Sequence, residues 1–199
     1  MPGDADLLRR IRGNTELALF FAEYPEFDIA GSDYGDDPRV ASGTVLEAIA
    51  GDGTGGAFYL CGADASERPV LYASSEGEAG IIARGFAEAV DLMSGLPYWR
   101  DCLGYSDNGD LETMQQVATL LRSDLLANHP DADADQTRAA ELLGRARTPV
   151  PLLVTRLHAA VASAGSGFVF SDATGEYGGL FGPFAPSRNT SWQDRLEHI

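Results

Sequence analysis

Three short β-prone runs, each bounded by turn-forming residues, lie between Thr44 and Ala73 and set the tightest limit on how this chain can fold. Thr44 to Ala50 reads as a strand. Gly51-Asp52-Gly53-Thr54-Gly55-Gly56 follows, then Ala57-Phe58-Tyr59-Leu60-Cys61. Two such runs around a Gly-rich turn make a hairpin. A second turn, Ala63 to Arg68, leads to a third strand at 69–73, Pro69-Val70-Leu71-Tyr72-Ala73. Connections this short suit antiparallel neighbours, because parallel ones need a crossover of a dozen or more residues. The middle of the chain is expected to be a small antiparallel meander.

Helical periodicity dominates on either side. Leu7, Leu8, Ile11, Ala18, Leu19 and Ala22 give residues 4–23 an amphipathic face, with a kink expected at Gly13-Asn14 and a stop at Pro25. Residues 28–43 carry loop chemistry. After the meander, Ile82, Phe86, Ala89, Met93 and Leu96 predict a helix over 79–96, and 97–103 continues as a short helix or turn. Asp110 reads as the N-cap of a helix over 111–127. Asp133 with Gln136 caps a shorter helix ending near Arg145. Thr148 caps the next, with Pro149 in its first turn and Val150, Leu153, Val154, Leu157 and Val161 as its apolar face. Phe168 to Phe170 reads as a short strand and 175–187 as Gly/Pro-rich loop or edge. The domain is expected over 1–187, with a helical second half and a C-terminal tail at 188–199.

Composition narrows function. The chain has 199 residues, 44% of them hydrophobic, enough for a core without disulfides or metal. Its 14 basic residues are all Arg, which excludes a Walker lysine, a kinase strand lysine, a Schiff base and a Ser-Lys dyad in cis. The net charge of −16 argues against nucleic acid, whose affinity comes largely from neutralised phosphates, and favours a basic protein partner. Cys61 and Cys102 form neither a zinc motif nor a secreted framework and read as reduced thiols. With no signal-like start and no run near the ~20 apolar residues of a span, the expected location is the cytoplasm, with no membrane contact.

Four patterns hint at chemistry. Gly51-x-Gly53-x-x-Gly56 fits the dinucleotide fingerprint, but the five-residue run ending before Gly62 is too short for the helix that would meet a pyrophosphate. Asp131-x-Asp133-x-Asp135 resembles the start of a calcium loop, yet Gln136 and Leu142 stand where Gly and Glu are needed. His129, His158 and His198 lack metal-ligand spacing. Ala73-Ser74-Ser75-Glu76-Gly77 has the setting of a nucleophile elbow, strand before and expected helix after, and suggests a serine hydrolase using Ser75. Ser75 with Glu78 is equally a helix-capping box, and that is the reading preferred. No catalytic residue, metal ligand or cofactor is therefore assigned.

The stretch from Ala50 to about Ser106 resembles bacterial members of the SUKH superfamily, which includes the fungal cell-wall assembly regulators. The resemblance rests on Ala50-Gly51-Asp52-Gly53-Thr54-Gly55-Gly56 before Phe58-Tyr59-Leu60, and on Val70 to Gly80 with its Ser74-Ser75-Glu76-Gly77 turn. Leu96-Pro97-Tyr98-Trp99-Arg100-Asp101 completes it. It implies an α+β fold, a small, mostly antiparallel curved sheet packed by helices. It also implies a non-enzymatic module, many bacterial members being immunity proteins that bind and block a cognate toxin. The other expectation is a regulator or scaffold unconnected with toxins. A nuclease-like toxin would present a basic surface, and an acidic inhibitor would meet it. The candidate contacts are Asp28, Asp33, Asp36 and Asp37 in the 28–43 loop and Asp131, Asp133 and Asp135 at the start of a helix. Trp99 is expected in the core.

Overall fold

A computed structural model describes residues 3–31, 37–63 and 68–196. In chain order its elements are α1 (Asp4–Arg12), α2 (Thr15–Glu23), β1 (Arg39–Val40), β2 (Leu46–Gly51), β3 (Ala57–Cys61), β4 (Val70–Ala73) and β5 (Ala79–Ala83). Then follow α3 (Phe86–Gly95), α4 (Trp99–Gly104), α5 (Leu111–Asn128), α6 (Ala132–Leu143) and α7 (Val150–Ser163). β6 (Phe170–Asp172), β7 (Gly175–Glu176) and α8 (Thr190–Leu196) complete the set. Among the described residues the fold is α+β, with eight helices and two small antiparallel sheets.

The larger sheet is the meander β2-β3-β4-β5. Its central strands are buried on both faces, which explains their unbroken apolar runs. Phe58, Leu60, Val70 and Tyr72 face the helices, packing with Phe21, Phe27, Phe86 and Trp99. Tyr59, Cys61, Leu71 and Ala73 point the other way, toward Val40, Phe170 and Ala160. That second layer is the small sheet β1-β6-β7 with one flank of α7. Trp99 is fully buried, as expected, with its ring edge-on to Tyr72 at 5.0 Å and to Phe58 at 6.1 Å.

The helix expected over 79–96 is instead a strand followed by a helix. Ala79–Ala83 pairs with β4 from Ala73↔Ala79 to Val70↔Ala83, and α3 begins only after Gly85. The reason is burial: Ile81, Ile82 and Ala83 are all inaccessible, so the two-residue period of a strand is hidden in a run apolar on both faces. The capping box goes with it. Ser74, not Ser75, organises the turn; its Oγ accepts from the Glu76 and Glu78 amides at 3.2 and 3.1 Å and donates to Glu78 Oε2 at 2.9 Å. A strap from Tyr177 to Phe184 then covers the outer edge of β5. The Ala79 amide donates to Gly178 O at 2.8 Å, and the Gly182 amide donates to Leu103 O at 2.9 Å.

Smaller differences are local. The kink at Gly13-Asn14 is a full break, with the Asn14 side chain accepting from the Leu17 amide at 3.1 Å to start α2. Asp110 caps α5 as expected, accepting from the Thr113 amide at 2.7 Å. The cap of α6 is Asp131 rather than Asp133, and Gln136 is buried inside the helix. Pro149 itself holds the cap position of α7. The short strand falls at Phe170–Asp172, after a 3₁₀ turn at Ser166–Phe168. Within 188–199, Thr190–Leu196 is helical, and its Trp192 stacks on Tyr105 at 4.8 Å.

Candidate functional site

The Gly-rich turn is a hairpin turn, and its purpose is to hold Asp52. The Asp52 side chain is wholly inaccessible. Its Oδ1 accepts from the Thr54 amide (2.9 Å), the Thr54 hydroxyl (2.8 Å) and the Gly56 amide (2.8 Å), the pattern of an Asx turn. Its Oδ2 accepts from the Tyr72 hydroxyl at 2.7 Å and from Arg100 at 2.8 Å. Burial works to raise the Asp52 carboxyl, but the bonds from Tyr72, Thr54 and Gly56 outweigh it and hold the group below the usual carboxylate range. Arg100 reaches over from α4, is 28% exposed, and also pairs with Glu26. Tyr72 thus donates to Asp52 and accepts from Arg100 at 3.2 Å.

Arg100 and Thr54 separate two open clefts. One, of about 450 Å³, lies between the Tyr24–Glu26 loop, the start of α4 and the second half of α5. Among the described residues three carboxylates line it, Glu26, Asp101 and Asp124, against the single guanidinium of Arg100. Arg100 is already shared between Asp52 and Glu26, so the cleft has no spare cation for an anion. Asp124 is paired with Arg195 of α8 at 2.5 Å. Desolvation raises the Asp101 carboxyl, Arg100 opposes the shift and Glu26 adds to it, with a net rise. Tyr24 and Tyr98 also line it. Such a lining accommodates a guanidinium or ammonium group.

The second cleft, of about 410 Å³, lies between the Ser74–Glu78 turn, α4 and the strap at 179–183. Ser75 lines it, but on a hairpin turn between two strands, which removes the strand-to-helix setting of an elbow. His158 does not line the cleft; it is bonded to Gly109 O at 2.9 Å behind Phe181, and His129 lies edge-on to Tyr24. Among the described residues no three His, Cys, Asp or Glu side chains could together hold a metal ion. Cys61 and Cys102 are free and buried; desolvation pushes the Cys61 thiol up to about 12 and Cys102 higher still.

The candidate aspartates have separate fates. Asp33 and Asp36 lie outside the described residues. Asp28 is exposed, with its carboxylate on the Ala30 amide at 2.9 Å. Asp37 pairs with Arg39 at 2.5 Å. Asp131 holds the cap position of α6 without a side-chain capping bond. Asp133 serves the molecule itself, bonding Arg122 at 2.6 Å and Arg147 at 3.0 Å, and Arg147 and Arg122 depress its carboxyl. Asp135 accepts from the Tyr24 hydroxyl at 2.6 Å. Sequence reasoning passed over Asp52, Arg100 and Glu26. One local signal existed, an Asp at the head of a Gly-rich turn, but its partners are 48 and 20 residues away.

Comparison with family models, with curated proteins and with solved structures finds no match to this chain.

Proposed function

We propose that the chain is a non-enzymatic, cytoplasmic protein-binding module that captures a basic partner, acting as an immunity protein toward a cognate toxin. The observation that carries this reading is the cleft beside Arg100, where Arg100 is committed to Asp52 and Glu26, Asp124 is paired with Arg195, and Asp101 is left without an ion pair among the described residues. A net charge of −16 extends the same preference over the whole surface and would speed encounter with an Arg- or Lys-rich protein. The SUKH resemblance of residues 50–106 supports the immunity role, and buried thiols suit a reducing compartment. Among the described residues no helix is long and apolar enough to cross a membrane.

The test is association with the product of the adjacent gene, measured as on-rate against salt, together with protection of cells expressing that product. The expected result is an on-rate that falls steeply between low and high salt. Asp101→Asn should weaken binding by roughly tenfold, about 1.4 kcal/mol. Absence of both binding and protection overturns the toxin reading. Binding with a salt-independent on-rate moves the interface to an apolar surface.

A further inference from the structure

We propose that the groove between α2 and α6 is the docking site for an amphipathic, basic segment of a partner protein, which inserts one apolar side chain beside Leu19. The inference rests on the reading of this chain as a binder of basic proteins and names the kind of segment it would grip.

Leu19 is 62% exposed, the middle of α2 yet outside the core. It borders a cavity of about 170 Å³ whose floor is Leu17, Phe20, Ala139 and Leu142. Among the described residues the other exposed large apolar side chains, Val45 and Leu152, line none of the clefts described above. A space of this size holds one large apolar side chain; pockets for drug-sized molecules run about 300–1,000 Å³. A bond at each end ties the two helices together and fixes their separation. Glu16 pairs with Arg138 at 2.9 Å, and the Tyr24 hydroxyl donates to Asp135 at 2.6 Å. With the helices tied at this spacing the cavity is already formed, so an incoming side chain meets a preformed slot at little ordering cost.

Charge selects the occupant. Glu16, Glu23 and Asp135 rim the slot, and the one cation among the described residues lining it, Arg138, is committed to Glu16 and Glu141. Among the described residues Glu23 has no ion pair. A second copy of this chain would bring another −16 to the same rim and be repelled, as would any anionic surface. A segment with Lys or Arg flanking a Leu, Met or Phe satisfies floor and rim together, the anatomy of an apolar hot spot inside a charged ring.

The experiment titrates the full chain with a fluorescent amphipathic helix of Leu and Lys, about 18 residues long so that it can hold a helix. The same helix with Glu for Lys, and a Lys-rich peptide without Leu, are run beside it. The Leu–Lys helix is expected to bind at one site, and the Glu version not at all. Leu19→Gln should weaken binding at least about tenfold and Glu23→Gln about threefold, while Leu152→Gln changes nothing. All three positions are exposed, so unchanged melting curves certify the folds. Equal binding by the Leu19 and Leu152 variants overturns the groove and leaves the basic-partner reading intact. Tight binding of the Glu helix overturns the charge argument. Self-association abolished by Leu19→Gln would make a second copy the occupant and overturn the proposal. Failure of every basic peptide to bind at low salt removes the reading beneath it.

Discussion

Gly56 shows how tightly the residues around Asp52 are fitted. A Cβ there would stand 2.5 Å from Asp52 Oδ2, 2.9 Å from the Tyr72 hydroxyl and 3.0 Å from Ala73 O. The third glycine of the fingerprint therefore makes room for a buried carboxylate, not for a phosphate. Removing that charge strands part of Arg100. Asp52→Asn is expected to destabilise by about 3 kcal/mol, the cost of breaking a buried pair, read from urea unfolding. The pH dependence has a definite sign. Because the folded-state carboxyl of Asp52 is depressed, its stabilisation is complete above the ordinary range near pH 4 and lost as pH falls through the lower folded value. Acid titration of unfolding should therefore show a shallower loss in Asp52→Asn than in the native chain. Trp99 belongs to the same cluster, fully buried against Tyr72 and Phe58. Trp99→Ala should cost roughly 3–5 kcal/mol, visible as a lowered melting temperature.

At the scale of elements, the β4–β5 hairpin carries the clearest lesson. Ser74 makes three side-chain bonds across the turn, whereas Ser75 is exposed on it. Ser74→Ala is expected to destabilise by about 1 kcal/mol and Ser75→Ala by less than about 0.5 kcal/mol. A capping role for Ser75 would reverse that order, so paired urea titrations decide it. The strap makes the same hairpin safe. It covers the edge of β5 and lays Gly182 where a Cβ would come 2.3 Å from Gly104 O. It bridges the start of the β5 edge through the Ala79 amide to Gly178 O, and its later residues form a wall of the second cleft.

For the whole molecule, the governing quantity is the excess of 30 acidic over 14 basic residues. Self-repulsion of that charge opposes compaction, while the same field would attract a basic partner of the kind proposed. Salt should therefore act in opposite directions on the two processes. Raising sodium chloride from about 50 to 500 mM shortens the Debye length to a few ångströms, raises unfolding stability and slows association. Parallel urea and stopped-flow series check both signs. The aspartates that matter are those not already used within the fold. Asp133 is neutralised by two arginines, whereas Asp135 takes only a neutral hydroxyl bond from Tyr24 and keeps its charge, so Asp28, Asp101, Asp131 and Asp135 are better placed to meet a partner.

The sequence by itself determined the β2–β3–β4 meander and the capped start of α5, because each follows from neighbours in the chain, and the burial of Trp99, because so large an apolar ring is costly to leave in water. A Gly-rich turn between two apolar runs closes a hairpin wherever it stands, and Asp110 needs only the Thr113 amide three residues on. Tertiary structure decided β5, the Asp52–Arg100 pair and the groove at Leu19. Ile81 and Ile82 fit a helix or a strand by pattern, and packing on both faces of the sheet chose the strand. Arg100 found Asp52 across 48 residues and Glu26 across 74, contacts that no local rule encodes. Leu19 read as a core position on α2, and it is exposed because α6, clamped through Arg138 and Asp135, stands just far enough away to leave a slot beside it.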